Sequence, residues 1–135
     1  MSAKSSLNSD SILPLLRFLP GFETEGRAYE HWESPQGKLP YRVYADDVDL
    51  FVKAAYDNGW ISPFDWGEWQ DRAAAYVHRP EKLTKARIGT IQKLLTTHVR
   101  KDRFCEGHLI GMFENGHMLA VLRRLKDIVE SGKSR

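Results

Sequence analysis

The stretch HLIGMFENGHMLAVLRRLKDIVES, residues 108–131 of a 135-residue chain, is compatible with two different folds. Its Asn115-Gly116 pair, flanked by apolar residues, is the strongest short signal for a β-hairpin. The apolar residues after that pair repeat instead with a helical period, as Met118, Val121, Leu122, Leu125 and Val129. We therefore predict a short helix over about 103–114, a break at Asn115-Gly116 and a final helix that ends near Glu130. A C-terminal hairpin at Asn115-Gly116 is the alternative.

Two further helices are predicted in the N-terminal half. The first has a cap at Ser9 or Ser11 and ends at Pro20-Gly21. The second has a cap at Asp46 or Asp47 and ends at Gly59, which is suited to the left-handed stop of a helix. Its predicted inward face is Val48, Phe51, Val52 and Ala55.

The segment between these helices, near residues 22–45, has no clear period and collects glycine and proline. We predict a long ordered loop, held in place by Trp32, Tyr41 and Tyr44. A small hairpin around residues 34–37, SPQG, is the alternative.

Two more helices are predicted between residues 65 and 100. Asp65 is suited to cap the first, with Glu68 three residues later, and the helix ends before Pro80. Its apolar stripe is Trp66, Trp69, Ala73 and Val77. The second runs from about Thr84 to Arg100 and has Ile88, Ile91, Leu95 and Val99 on its inward face.

The predicted fold is thus mainly α: a small single-domain bundle of five to six helices over residues 9–131. Residues 1–8 and 132–135 are predicted tails. A C-terminal hairpin would make the fold α+β. The hydrophobic fraction of 41%, with fifteen aromatic residues, is that of a folded globular protein. The single cysteine, the polar start and the lack of a long apolar run favour a cytoplasmic location without membrane contact.

Charge is unevenly distributed along the chain. Residues 1–78 carry a net charge of −5, residues 79–103 carry +6, and the remainder carries +1. Such a split indicates either a basic surface for a polyanion or two parts that attract each other. If the partner is a nucleic acid, the expected contacts are Lys82, Lys85, Arg87, Lys93 and Lys101, together with Arg79.

Candidate chemistry concentrates in VRKDRFCEGH, residues 99–108. Cys105 and His108 are neighbours on a helical turn, which leaves little room for a substrate between a nucleophile and its base. We therefore interpret Cys105 as a small core residue. A metal site would need His98 or His117 as further ligands, and both are predicted at solvated helix ends, so no metal site is predicted.

Opposite charges in the same stretch favour a structural interpretation. The candidate cluster consists of Arg100, Asp102, Arg103, Glu106 and His108, to which we add Asp65, Trp66 and Trp69. We predict an ion network among Arg100, Asp102, Arg103 and Glu106 that joins the long helix to the next one. Asp65 is predicted as a cap, and the two tryptophans as core anchors. Catalysis within the cluster is the alternative.

Four blocks in order resemble a known family: FLPGFE (18–23), GWISPFDWGEW (59–69), KLLTTHVRKDRFCEGHL (93–109) and ENGHMLAVLRRL (114–125). The resemblance, over about Leu13 to Leu125, is to a bacterial family catalogued as domain of unknown function 6508. It implies a small bacterial soluble domain and assigns no reaction, cofactor or site residue.

Three functions stay open. The favoured one is a module that binds a protein partner or a second copy of itself, or has a structural role. A nucleic-acid-binding accessory protein is the second, and an enzyme at residues 100–108 is the third. No cofactor is predicted, because the sequence contains neither a phosphate-binding loop nor a dinucleotide-binding fingerprint.

Overall fold

A computed structural model describes residues 7–133, which form a mainly helical domain with one two-stranded hairpin. The helices are α1 (Ser9–Leu16), α2 (Leu19–Phe22), α3 (Asp46–Asp57), α4 (Gln70–His78), a 3₁₀ helix (Pro80–Lys85), α5 (Ile88–Asp102), α6 (His108–Glu114) and α7 (His117–Lys133). The strands are β1 (Glu30–Glu33) and β2 (Tyr41–Tyr44). The mainly α prediction is confirmed, although residues 7–133 contain eight helical segments, not five or six.

Helix α5 lies at the centre of the core. All six residues from Leu94 to Val99 are buried, so this part of the helix has no solvent-exposed side. A helix buried on every side packs against several neighbours, and α5 contacts both α4 and α6. The helix begins at Ile88, later than predicted, because Pro80–Lys85 forms a separate 3₁₀ helix before it.

Aromatic rings fill the core beside α3 and α6. Phe113 of α6 lies 4.7 Å from Phe22 and 5.9 Å from Phe51 between ring centroids, and both contacts are edge-to-face. The most deeply buried tryptophan is Trp60, whose indole N–H donates to the carbonyl oxygen of Ser11 at 2.8 Å. This bond joins α1 to the segment that follows α3.

The predicted loop near residues 22–45 contains a hairpin, so the preferred interpretation was wrong. Strands β1 and β2 pair antiparallel, with Trp32 opposite Arg42. The turn between them has Gly37 in the left-handed region and a hydrogen bond from the Lys38 N–H to the Pro35 carbonyl. Trp32 and Tyr41 are 55% and 51% exposed, so they do not pin the segment to the core.

The break at Asn115-Gly116 is confirmed, and the alternative of a C-terminal hairpin is wrong. Helix α6 ends at Glu114, Gly116 adopts φ +86°, and α7 continues from His117 to Lys133. The period of the apolar residues therefore prevails over the turn signal. Helix α6 begins at His108, not near 103, because Gly107 has φ +92° and interrupts the helical backbone.

Three details of the N-terminal half and the tails differ from expectation. Asn8 caps α1, not Ser9 or Ser11 as predicted, since the Asn8 side chain accepts a hydrogen bond from the Asp10 N–H. Pro20 and Gly21 lie inside α2. Of the predicted tails, residues 1–6 and 134–135 lie outside the described residues, Leu7 packs against the core, and α7 includes residues 132 and 133. Within residues 7–133, no helix combines the length and apolar character that crossing a membrane requires.

Candidate ligand site at a histidine cluster

Three histidines from three helices meet inside the protein. His98 lies within α5, His108 is the first residue of α6, and His117 is the first residue of α7. Nδ1 of His98 is 3.0 Å from Nε2 of His108, and Nε2 of His98 is 3.1 Å from Nε2 of His117. Both separations are hydrogen-bond distances. We call His98, His108 and His117 the histidine cluster.

Local structure explains why these side chains converge. His98 follows Ile91 by seven residues and Leu94 by four, so the helical period places it on a buried face of α5. Two left-handed glycines, Gly107 and Gly116, then redirect the chain immediately before α6 and α7. As a result, both of these helices begin with a histidine beside α5.

Burial of the cluster corrects the sequence interpretation. We predicted His98 and His117 at solvated helix ends, but they are only 3% and 5% exposed. The apolar residues seven and four positions before His98 were a signal in the sequence that could have located it. For His117, the corresponding signal is Val121, four residues later on the buried stripe of α7.

All three imidazoles are held neutral near pH 7. Burial, and then repulsion from a charge on His117 or His108, lowers the pKa of His98 well below its usual value. Burial also lowers the pKa of His117 to about 4. The pKa of His108 is lowered by burial and by Lys101, with a smaller opposing effect of Asp102. The cluster therefore consists of hydrogen-bonding groups without a net charge.

The cluster is a chain, with His98 in the middle. His98 uses its two ring nitrogens for two different neighbours, and these nitrogens point in diverging directions. A metal ion needs three or four ligand atoms that converge on one point. Within residues 7–133, no group of three or more His, Cys, Asp or Glu side chains is arranged to hold a metal ion.

A cavity of about 250 Å³ lies beside the cluster, between α4, α5 and α6. Its apolar lining residues are Ala73, Ala74, Val77 and Met112, and its neutral polar ones are Gln70, Thr97 and Asn115. Its titratable lining residues are His78, His98, Lys101 and His108. These four are all basic, and none of the lining residues is acidic. The cavity lining thus combines apolar side chains with hydrogen-bonding and basic ones.

Asp102 holds the segment between α5 and α6 in place. Its carboxylate accepts hydrogen bonds from the Tyr44 hydroxyl at 3.0 and 3.1 Å and from the Leu109 N–H at 2.8 Å. The Tyr44 hydroxyl in turn accepts from the Gly107 N–H at 2.9 Å. Burial is the main reason that the pKa of Tyr44 rises to about 12, with the nearby Asp102 carboxylate as a further cause. Tyr44 therefore stays a neutral donor, and β2 is tied to the start of α6.

The predicted ion network does not form. The ion pairs between residues 7 and 133 do not include Arg100, Asp102, Arg103 or Glu106. Nε of Arg100 is buried without a hydrogen-bond partner in the described part of the chain. The prediction overlooked Tyr44, which lies far from Asp102 in sequence and supplies a neutral partner.

Arg103 and Glu106 are exposed and line an open hollow of about 500 Å³ together with Arg42, Tyr44, Asp49 and Asp102. The guanidinium of Arg42 lies so close to Gly107 that a Cβ atom there would overlap Nη1 of Arg42. The φ of +92° favours glycine at position 107, and a larger residue there would also displace the end of the Arg42 side chain. Cys105 is exposed, so our interpretation of it as a core residue was wrong.

Comparisons with known proteins place this chain in a family. The model of a family of unknown function, DUF6508, matches residues 7–131. The chain belongs to the DUF6508 family. Neither the curated proteins nor the solved structures gave a match.

The aromatic part of the predicted cluster, Trp66 and Trp69, does not line the cavity beside the histidines in this DUF6508 chain. Trp66 and Trp69 are half-buried, and Trp66 stacks against Phe104 with centroids 5.9 Å apart. Asp65 accepts a hydrogen bond from the Glu68 N–H, but α4 begins later, at Gln70. Asp65 therefore stabilises the turn before the helix.

The basic residues considered for nucleic-acid contact are distributed over several parts of the DUF6508 fold. Lys82 and Lys85 belong to the 3₁₀ helix, and Lys82 lies over the Tyr76 ring. Arg87 and Lys93 line a shared surface depression, whereas Lys101 lines the cavity beside the histidine cluster. Nucleic-acid binding stays a prediction.

Proposed function

We propose that this DUF6508 protein binds a small organic acid with an apolar body in the cavity beside the histidine cluster. The observation that carries the proposal is the lining of that cavity, which combines apolar side chains with Lys101 and with the neutral imidazoles of His98 and His108. Pockets of this kind, mainly apolar with a few convergent polar groups, are typical ligand sites.

The size and charge of the cavity support this class of ligand. Its volume of about 250 Å³ exceeds the roughly 150 Å³ of an engineered cavity that takes up benzene, so a substituted ring or a short branched chain fits. Lys101 supplies a positive charge for a carboxylate. A neutral imidazole N–H can donate a second hydrogen bond to the same group. A cationic ligand would lack an acidic partner among the residues that line the cavity.

Binding of benzoate tests the proposal, with benzamide as its uncharged analogue. We expect saturable binding of benzoate by calorimetry and by NMR shifts of residues in α4, α5 and α6, and at least about tenfold weaker binding of benzamide, which corresponds to ~1.4 kcal/mol. Lys101→Met should weaken benzoate binding to a similar extent. Ala74→Leu should block it, because the larger side chain would occupy part of the cavity.

Lys93→Met is the matched control, since Lys93 lies on the same helix but lines a different depression. It should leave benzoate affinity unchanged. Equal affinities for benzoate and benzamide, or equal losses in the Lys93 and Lys101 variants, would contradict an acid site. So would the absence of binding for benzoate, phenylacetate and hexanoate alike.

Self-association through the hairpin is a second candidate function. Three large apolar side chains on residues 30–44 are exposed: Trp32, Tyr41 and, at 86%, Leu39. Trp32 also packs against the Arg42 guanidinium, with the Arg42 Cζ atom 5.1 Å from its ring centroid. The sheet has only β1 and β2 within residues 7–133, so each strand has an outer edge. Two copies of one edge can pair antiparallel about a twofold axis, which supports a second copy of the chain as the partner.

Sedimentation equilibrium over a wide concentration range tests this second candidate. We expect a concentration-dependent dimer that Leu39→Lys weakens, because the new charge lies at the hairpin tip. Leu13→Lys on α1 is the control, since Leu13 is also exposed and apolar but lies outside the hairpin. A monomer at every concentration, or equal effects of the two substitutions, would exclude this interface.

A further inference from the structure

The histidine cluster contains a fixed number of protons for its two internal hydrogen bonds. Each neutral imidazole carries one N–H and one unprotonated nitrogen. His98 makes both internal bonds, at 3.0 Å to His108 and 3.1 Å to His117. With a single N–H, it must donate one of these bonds and accept the other.

Two proton arrangements satisfy this requirement. In the first, Nδ1–H of His98 donates to His108, and Nε2–H of His117 donates to His98. His108 then carries its own proton on Nδ1, and Nδ1 of His117 is bare. In the second, Nε2–H of His108 donates to His98, and Nε2–H of His98 donates to His117. Nδ1 of His108 is then bare, and Nδ1 of His117 carries a proton.

We propose that His108, His98 and His117 form a proton relay in which a ligand that accepts a hydrogen bond from Nδ1 of His108 makes Nδ1 of His117 an acceptor. Nδ1 is the ring nitrogen that the cluster leaves unused at each end. The two ends lie on different helices, α6 and α7, and His108 lines the cavity whereas His117 does not. The relay therefore links the cavity to the first residue of α7.

Protons balance when the second arrangement changes to the first. One proton enters at Nδ1 of His108, one proton crosses each internal hydrogen bond, and one leaves from Nδ1 of His117. Water supplies the entering proton and accepts the leaving one, so the ligand binds as its carboxylate and accepts the hydrogen bond from Nδ1–H of His108. The cluster stays neutral throughout, so no buried charge has to persist. The part of this inference that concerns the ligand rests on the proposed acid site.

Nitrogen NMR of the ¹⁵N-labelled full chain tests the relay without any ligand. Protonated and bare ring nitrogens have well-separated ¹⁵N shifts, so the tautomer of each histidine can be measured. We expect that, near pH 7.5, the fraction of His108 with Nδ1–H and the fraction of His117 with Nδ1–H sum to one. The relay would be overturned if His108 and His117 carried their protons on the same nitrogen, both on Nδ1 or both on Nε2. It would also be overturned if the two Nδ1–H fractions gave any other sum.

Two variants test the coupling from each end. In His117→Phe, Nε2 of His98 loses its partner, and an unpaired buried donor costs more than an unpaired acceptor. The proton of His98 should therefore settle on Nδ1, which leaves His108 fully as the Nδ1–H tautomer. In His108→Phe, the same reasoning predicts that His117 becomes fully Nδ1–H. A remaining end that keeps Nε2–H in either variant would contradict the coupling.

His31→Phe serves as the control, because His31 is exposed on β1 and lies outside the cluster. It should leave all cluster tautomers unchanged. If His117→Phe or His108→Phe does not give a native backbone spectrum, the relay is still tested in the unmodified chain by the sum rule, which requires that the Nδ1–H fractions of His108 and His117 add up to one. Adding benzoate should move His108 to Nδ1–H and His117 to Nε2–H. Failure of benzoate to bind would reject the acid site while leaving the sum rule intact.

Discussion

Acidifying the protein from pH 7 to pH 4 is expected to lower its free energy of unfolding by about 3 kcal/mol or more. The pKa of His117 is lowered from its ordinary value of 6.5 to about 4, and the pKa of the more deeply buried His98 lies well below 6.5. Between pH 6.5 and pH 4, the histidines of the unfolded chain bind protons that the folded protein excludes, so acid favours unfolding. The His117 shift alone corresponds to about 3 kcal/mol.

This stabilisation is complete above the unfolded pKa of 6.5 and is lost as the pH falls toward 4. Urea unfolding at a series of pH values measures it. The range from pH 6.5 to 4.5 separates the histidines from Asp47, whose pKa is lowered by Arg27 and which therefore loses its contribution only at lower pH. His117→Phe should flatten the slope in this range, and His31→Phe should not. An equally steep slope in both variants would contradict the assignment.

Replacing Asp102 with alanine is expected to reduce the free energy of unfolding by about 2 to 3 kcal/mol. The carboxylate accepts hydrogen bonds from the Tyr44 hydroxyl and from the Leu109 N–H. Without it, both donors lose their acceptor in a half-buried site, and removal of a charged partner is among the costlier losses of this kind. Chemical unfolding at neutral pH measures the change.

Asp102→Asn is the informative comparison, because its amide oxygen can still accept from the Leu109 N–H. We expect it to cost about half as much as the alanine variant, since Tyr44 then donates to an uncharged acceptor. Glu106→Ala, at an exposed position in the same segment, should change stability by less than about 0.5 kcal/mol. Equal effects at Asp102 and Glu106 would mean that the segment is held by other contacts.

Sequence periodicity was sufficient for the helical core. Met118, Val121, Leu122 and Leu125 are all buried along α7, and Val48, Phe51 and Ala55 are buried along α3. These predictions hold because a helix that packs on one side must repeat its apolar residues every three or four positions. The first residues of the helices were less predictable. Helix α6, for example, begins at His108 and not near residue 103, because Gly107 has a left-handed backbone.

The candidate site was predicted less well than the core. Residues 100–108 contain Asp102 and His108, but their partners, Tyr44 and His98, lie elsewhere in the sequence. Opposite charges that are close in sequence suggested an ion network, whereas the folded chain brings a neutral hydroxyl to Asp102. The hairpin was difficult to predict for a similar reason. Its two strands have only four residues each, and their sequences did not favour a strand over a loop.

The sequence by itself determined that this chain folds as a mainly helical domain, where α7 breaks from α6, and to which family it is similar. The first two properties depend on residues within a few positions of one another, and the third depends on blocks whose order can be read along the chain. Only the tertiary structure decided that His98, His108 and His117 form a hydrogen-bonded chain beside a basic, apolar cavity. Convergence of side chains from three helices depends on how the helices pack. The residue spacing within one helix gives no information on where the other two helices lie.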